Sequence, residues 1–107
     1  MMIFSETHAA TNVDAGNAVR DTGRSQLHVH TAEFLCDSGT GSATVTHYGR
    51  NGGSGGWYAI CTFTFTAAAN GEKATPQTLE HNWDQYKSEC TALSGTGARV
   101  LTTMSGA

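Results

Sequence analysis

The sequence predicts an α+β fold: a three- to four-stranded antiparallel meander with one long helix packed on one face. Two observations carry that prediction. Trp57–Thr66 (WYAICTFTFT) alternates in the way of a half-buried strand, with Trp57, Ala59, Cys61, Phe63 and Phe65 toward the core and Tyr58, Ile60, Thr62, Thr64 and Thr66 away from it. Leu79, Trp83, Tyr86, Cys90 and Leu93 recur at spacings of four, three, four and three residues, which form one stripe on a helix.

In chain order, residues 1–25 read as an N-terminal arm or short helix. Met2-Ile3-Phe4 could pair as an edge strand, and a helix could open after Ser5–Thr7 and run over Ala9–Arg20. Gly16, Asn12 and Asn17 lower its propensity, and Asp21-Thr22-Gly23 reads as a turn. A single domain then spans 26–104, leaving 105–107 as a tail. Gln26–Cys36 is the first strand, with Leu27 and Val29 on one face and His28 and His30 on the other. A bulge near Thr31–Glu33 would bring Phe34 onto the Leu27 face. Asp37–Gly41 has the composition of a hairpin loop. Ser42–Tyr48 is the second strand, with Ala43, Val45 and His47 on one face and Thr44, Thr46 and Tyr48 on the other. Gly49–Gly56 is a glycine-rich connection into the central strand. Thr75 as N-cap, Pro76 at the first helical position and Gly95 past the end would delimit the helix. Ala98–Met104 closes the chain as a strand at the sheet edge.

The 107 residues have room for one core. The formal net charge is -3, and the six Lys or Arg residues are scattered, so no basic patch suits a phosphate backbone. No run is long enough to span a membrane. The opening MMIFSETHAA lacks the basic start and long apolar region of a secretory signal. A reducing, cytoplasmic setting is therefore expected, and Cys36, Cys61 and Cys90 read as buried free thiols, since their spacings match no zinc module.

No motif carries specific chemistry. His28 and His30 share a strand face, a spacing that metal sites use, but no third ligand falls in register. Cys61 and His47 could be inward neighbours on adjacent strands, the minimum for thiolate catalysis, yet a packed core pair is the simpler reading. Gly49–Gly56 lacks the lysine of a phosphate-binding loop and precedes a strand. The sequence thus predicts no catalytic residue, no metal and no cofactor. It leaves two classes open: a protein-binding module, and a small metal- or thiol-dependent enzyme using His28/His30 or Cys61/His47.

In size, mild acidity and sheet-plus-helix order the chain resembles small proteins encoded by phages and mobile elements, such as anti-CRISPR proteins. That resemblance implies a stoichiometric, cytoplasmic inhibitor of a host defence complex such as a nucleoprotein, and transfers no functional residue. A phage structural subunit is a variant of the same class. A meander followed by a helix also resembles double-stranded-RNA-binding domains, but the basic residues those domains set against phosphates are absent. For the binding module, the pleat predicts a working face of His28, His30, Thr44, Thr46, Tyr48, Tyr58, Ile60, Thr62 and Thr64, with Arg50 beside it. Its anchors would be Tyr48 and Tyr58.

Overall fold

The structure is a computed structural model that describes residues 1–11, 19–20, 26–52 and 55–106, with 19–20 described by backbone alone. Every regular element among them is a strand, so the predicted α+β class gives way to an all-β sandwich of two antiparallel sheets. The strands are β1 (Met2–His8), β2 (Val19–Arg20), β3 (Leu27–Leu35), β4 (Ser38–Arg50), β5 (Tyr58–Ala69), β6 (Glu72–Lys73), β7 (Gln77–Glu80), β8 (Gln85–Thr96) and β9 (Arg99–Gly106). The first sheet runs β1-β9-β3, with β6 and β7 paired to the two ends of β3. The second runs β2-β8-β4-β5.

The predicted helix is β7, a loop and β8. Tyr86 and Cys90 are four residues apart, a spacing that also keeps one face of a strand. Ser88 between them is buried as well. Thr44 pairs with Ala92 and Val45 with Cys90, so Thr91 is an extra residue in β8. That bulge reverses the parity and brings Leu93 onto the inner side, packed on the core. A strand with one bulge therefore reproduces the four-then-three rhythm of a helix. Pro76 leads into β7, a position where a strand tolerates it.

The meander is corrected too. β3 lies in one sheet and β4 in the other, so residues 36–37 turn a corner between sheets instead of closing a hairpin. The β8–β9 connection crosses at the same end. The Asp37 N–H donates to the Thr96 carbonyl at 2.8 Å, and Arg99 pairs with Asp37 at 3.1 Å. Gly97 has a φ of +63° there, and a Cβ on it would run into the Asp37 carboxylate.

β9 is not an edge strand. It pairs with β1 on one side and β3 on the other, because Val100, Thr102 and Met104 are all buried inward. It includes Ser105 and Gly106, assigned from sequence to a tail. The apolar start does form an edge strand among the described residues, β1. Of the helix expected over Ala9–Arg20, residues 12–18 lie outside the described residues, and 19–20 pair as a strand with β8. The Asp21–Gly23 turn also lies outside them.

β3 runs straight, without the expected bulge. Its even positions His28, His30, Ala32 and Phe34 are buried, and Leu27 is exposed. The inner face thus holds two apolar clusters. One gathers Phe34, Val45, Phe63, Phe65 and Val100; the other gathers Ile3, Phe4, Tyr86 and Met104. A row of imidazoles crosses between them.

Two measurements check this packing. Far-UV circular dichroism is expected to lack the helical double minimum. A Cβ on Gly41 would stand 2.7 Å from Phe34 Cζ and closer still to the Ser94 carbonyl oxygen. Gly41→Ala is therefore expected to cost about 1–3 kcal/mol by overpacking. Gly56→Ala, with nothing within 4 Å of the new methyl, is the control expected to melt like wild type.

Candidate functional site: a buried histidine wire

The inward parity of β3 turns His28 toward Tyr86 of β8 and His30 toward β4, whose alternation sends His47 the other way across the interior. His81 enters from the segment after β7, and β8 supplies Tyr86. His28, His30, His47, Tyr86 and Thr102 all have 0% exposure.

Their hydrogen bonds form one chain whose direction is fixed from its end. The Thr102 hydroxyl lies 2.7 Å from the Thr31 carbonyl oxygen, which can only accept. Thr102 Oγ1 must then accept from His47 Nε2–H at 2.6 Å. Neutral His47 keeps its lone pair on Nδ1, so His30 Nδ1–H donates to it at 2.8 Å. His30 Nε2 in turn accepts from His81 Nε2–H at 2.9 Å. Neutral His81 then accepts at Nδ1 from the Tyr86 hydroxyl, 3.1 Å away. The Tyr86 oxygen accepts the Trp83 backbone N–H at 2.9 Å. These tautomers are assigned from the connectivity. The wire passes between sheets at His47–Thr102 and His47–His30, and again through His81, which links His30 to Tyr86.

Electrostatics hold it neutral. Burial, and then the His30, His8 and His81 rings, push His47 down to about 3. Burial, and then His28, push His30 down to about 4. Phe4 meets the His47 ring edge-on at 4.9 Å and Phe63 at 5.7 Å, while His28 stacks on His81 at 4.1 Å. Protonating either His30 or His47 would set two N–H groups face to face.

A smaller network lies beside it. The Ser88 hydroxyl donates to Glu6 at 2.8 Å, so His8 Nε2–H donates to Ser88 at 2.7 Å. Burial lowers His8, an effect that Glu6 and Glu89 oppose. The serine proton points to the carboxylate, not to the imidazole, so this trio lacks the polarity of an activated nucleophile.

Cys61 is the direct cross-strand partner of His47, and both are buried. Burial pushes the Cys61 thiol up to about 11, opposite to what thiolate catalysis needs. One donor atom each from His30, His47 and Cys61 lies within 4.8 Å of the others, a His₂Cys set able to hold a soft metal ion. The sequence placed His47 away from His30; facing sheets, not a shared sheet, bring them together.

The predicted working face divides. Thr44, Thr46, Tyr48 and Arg50 do share the outer face of the β4 sheet, with Thr62 and Thr64 beside them. His28 and His30 do not, since they lie between the sheets. Tyr48 pairs with Ala59 and His47 with Cys61, so Ile60 is a bulge residue. The reversed parity turns Ile60 and Tyr58 off that face: Ile60 packs on both core clusters, and Tyr58 stacks on Trp83 at 5.1 Å. Trp57 moves outward in their place. Arg50 stands 4.3 Å over its ring and Lys87 4.6 Å, and Lys87 also lies 5.2 Å from the Tyr48 ring. Trp57 thus leaves the core position that its alternation predicts, and Lys87 joins a face from which the sequence prediction omits it. The alternation Gln85, Lys87, Glu89 against Tyr86, Ser88, Cys90 was the signal available for Lys87.

Stability should follow the histidines. Both folded values lie below the ordinary 6.5, so the unfolded chain binds more protons between about pH 6.5 and 4. Stability is complete above about pH 6.5 and falls as pH drops, each histidine contributing about 1.4 kcal/mol per pH unit. Denaturant unfolding in the presence of a chelator is expected to lose on the order of 5 kcal/mol between pH 7 and pH 4. A pH-independent midpoint would contradict the wire. Thr102→Val, which removes the terminal acceptor, is expected to cost about 1–3 kcal/mol at pH 7.

In comparisons with known proteins, no family model, no curated protein and no solved structure matches this chain.

Proposed function

We propose that the protein is a non-enzymatic binding module that engages a protein partner through the outer face of the β4 sheet. The observation that carries this reading is the cluster of Trp57, Arg50, Lys87 and Tyr48. Two of the six Lys or Arg residues in a chain of net charge -3 are stacked on two partly exposed aromatic rings. Tryptophan, tyrosine and arginine are the residues on which interface energy concentrates. The Arg50 Nε–H donates to Gln85 at 2.8 Å, which holds its guanidinium over the indole. The rows Thr44/Thr64 and Thr46/Thr62 continue the face with hydroxyls. At its margin runs β5, an edge strand among the described residues, without a charge from Tyr58 to Ala69. Uncharged edges are open to strand addition.

The enzyme reading has less support. His47 is sealed and Cys61 nearly so. Of two surface hollows, one of about 240 Å³ is lined by Thr31, Glu33, Lys73, Pro76, Leu101 and Thr103, and one of about 340 Å³ by Thr11, Leu93, Ser94, Gly95, Gly97 and Ala98; neither lining includes His47 or Cys61. The resemblance to phage-encoded inhibitors loses its sheet-plus-helix component and keeps size and acidity. Inhibition by occupying a surface of a host defence complex remains the form of binding it suggests.

The test is affinity capture with quantitative mass spectrometry, comparing wild type with Trp57→Ala and Tyr48→Asp after matched melting curves. A partner held by wild type is expected to drop at least about thirtyfold in affinity in each variant, the scale of a hot-spot residue. Folded variants that retain the same partner at wild-type affinity would overturn this reading.

A further inference from the structure

We propose that His30, His47 and Cys61 form a binding site for one copper(I) ion between the two sheets. Their donor atoms converge within 4.8 Å, and all three residues are buried. Two nitrogens on one metal at about 2.0 Å stand about 3.3 Å apart. The observed Nδ1···Nδ1 separation of 2.8 Å needs to open by only about half an ångström, which rotamer adjustment supplies.

Charge selects the ion. A thiolate and two neutral imidazoles carry one negative charge, so a monovalent cation makes the site neutral. Zinc would leave a net positive charge beside Phe4 and Phe63, whose rings flank His47, and an uncompensated buried charge is costly. A soft thiolate with imidazoles also suits copper(I) by ligand type, and three donors form no closed four-coordinate zinc site.

The exchange balances. Copper(I) enters, the Cys61 thiol proton leaves, and no electron moves. His30 must present a lone pair at Nδ1, so its ring proton passes to Nε2. His30 Nε2–H then donates to His81 Nε2, whose proton shifts to Nδ1 and donates to the Tyr86 oxygen, and the Tyr86 hydroxyl hydrogen rotates out of the His81 contact. Two rings change tautomer and their proton count is unchanged. Binding one ion therefore reverses this part of the wire.

The experiment uses the full chain, reduced and chelator-treated under anaerobic conditions. Copper(I) is delivered from a weak nitrogen chelator, with zinc(II) titrated in parallel. Wild type is expected to retain one equivalent of copper(I) through desalting and to melt higher. Imidazole ¹⁵N spectra are expected to show His30 and His81 changing tautomer. Cys61→Ala, outside the wire, is expected to stay folded and to bind copper(I) at least about a hundredfold more weakly, because the soft thiolate selects the ion. Cys36→Ala is expected to bind like wild type. Failure of wild type to retain copper(I), undiminished binding by folded Cys61→Ala, or preference for zinc(II) would each overturn the assignment.

Discussion

The bond on which the rest of this fold depends is the one His47 makes across the interior. Its two ring nitrogens reach two strands of the opposite sheet, His30 on β3 and Thr102 on β9. Apolar contacts drive the sheets together but are nearly indifferent to sliding. A ring held at both nitrogens is not, because a shift of one residue would strand buried donors at several kilocalories per mole. The wire thus sets how the sheets lie on one another, while the Phe34–Val45–Phe65 cluster supplies the greater part of the burial.

That role explains why an interior of this size tolerates so many polar groups. Each step of the chain satisfies the next, and a fully satisfied network rigidifies a core where a partly satisfied one weakens it. The cost is sensitivity to acid, since the network exists only while its imidazoles are neutral. The same lone pairs and the adjacent thiol make it a soft-metal donor set, so the wire and the copper proposal draw on one property: neutral nitrogen donors held in a buried interior.

Bulges are the second constraint. Ile60 in β5 and Thr91 in β8 each add one residue opposite the middle of β4, and both ladders shift again toward its start, between Gly41 and Ala43 and between Ser38 and Ser42. The first turns Trp57 outward into the Arg50–Lys87 cluster and leaves Tyr58 against Trp83. The second returns Leu93 to the core. The outer face proposed to bind a partner is therefore composed by parity changes as much as by the threonine rows.

The sequence by itself determined that Ser42–Tyr48 in the middle of β4 and the middle of β5 are strands and which of their residues face inward, while Ser38–Gly41, read as a loop, proved to be part of β4. Period-two alternation over Ala43–His47 and Cys61–Phe65 is a local property, and those residues are buried as read. It also placed Cys61 beside His47. What only the tertiary structure decided was which strands share a sheet, which face of β3 is inner, and whether 77–96 is helix or strand. Those choices are not local. His28 and His30 read as wet because imidazoles usually are, and only facing partners on β4 and after β7 make them a core. Tyr86, Cys90 and Leu93 fit a helix or a bulged strand equally. The tie is broken by β4, which offers Val45, His47 and Gly49 as cross-strand partners for Cys90, Ser88 and Tyr86. Pairing supplies backbone hydrogen bonds and inward burial together, and no inspection of a single segment contains that information.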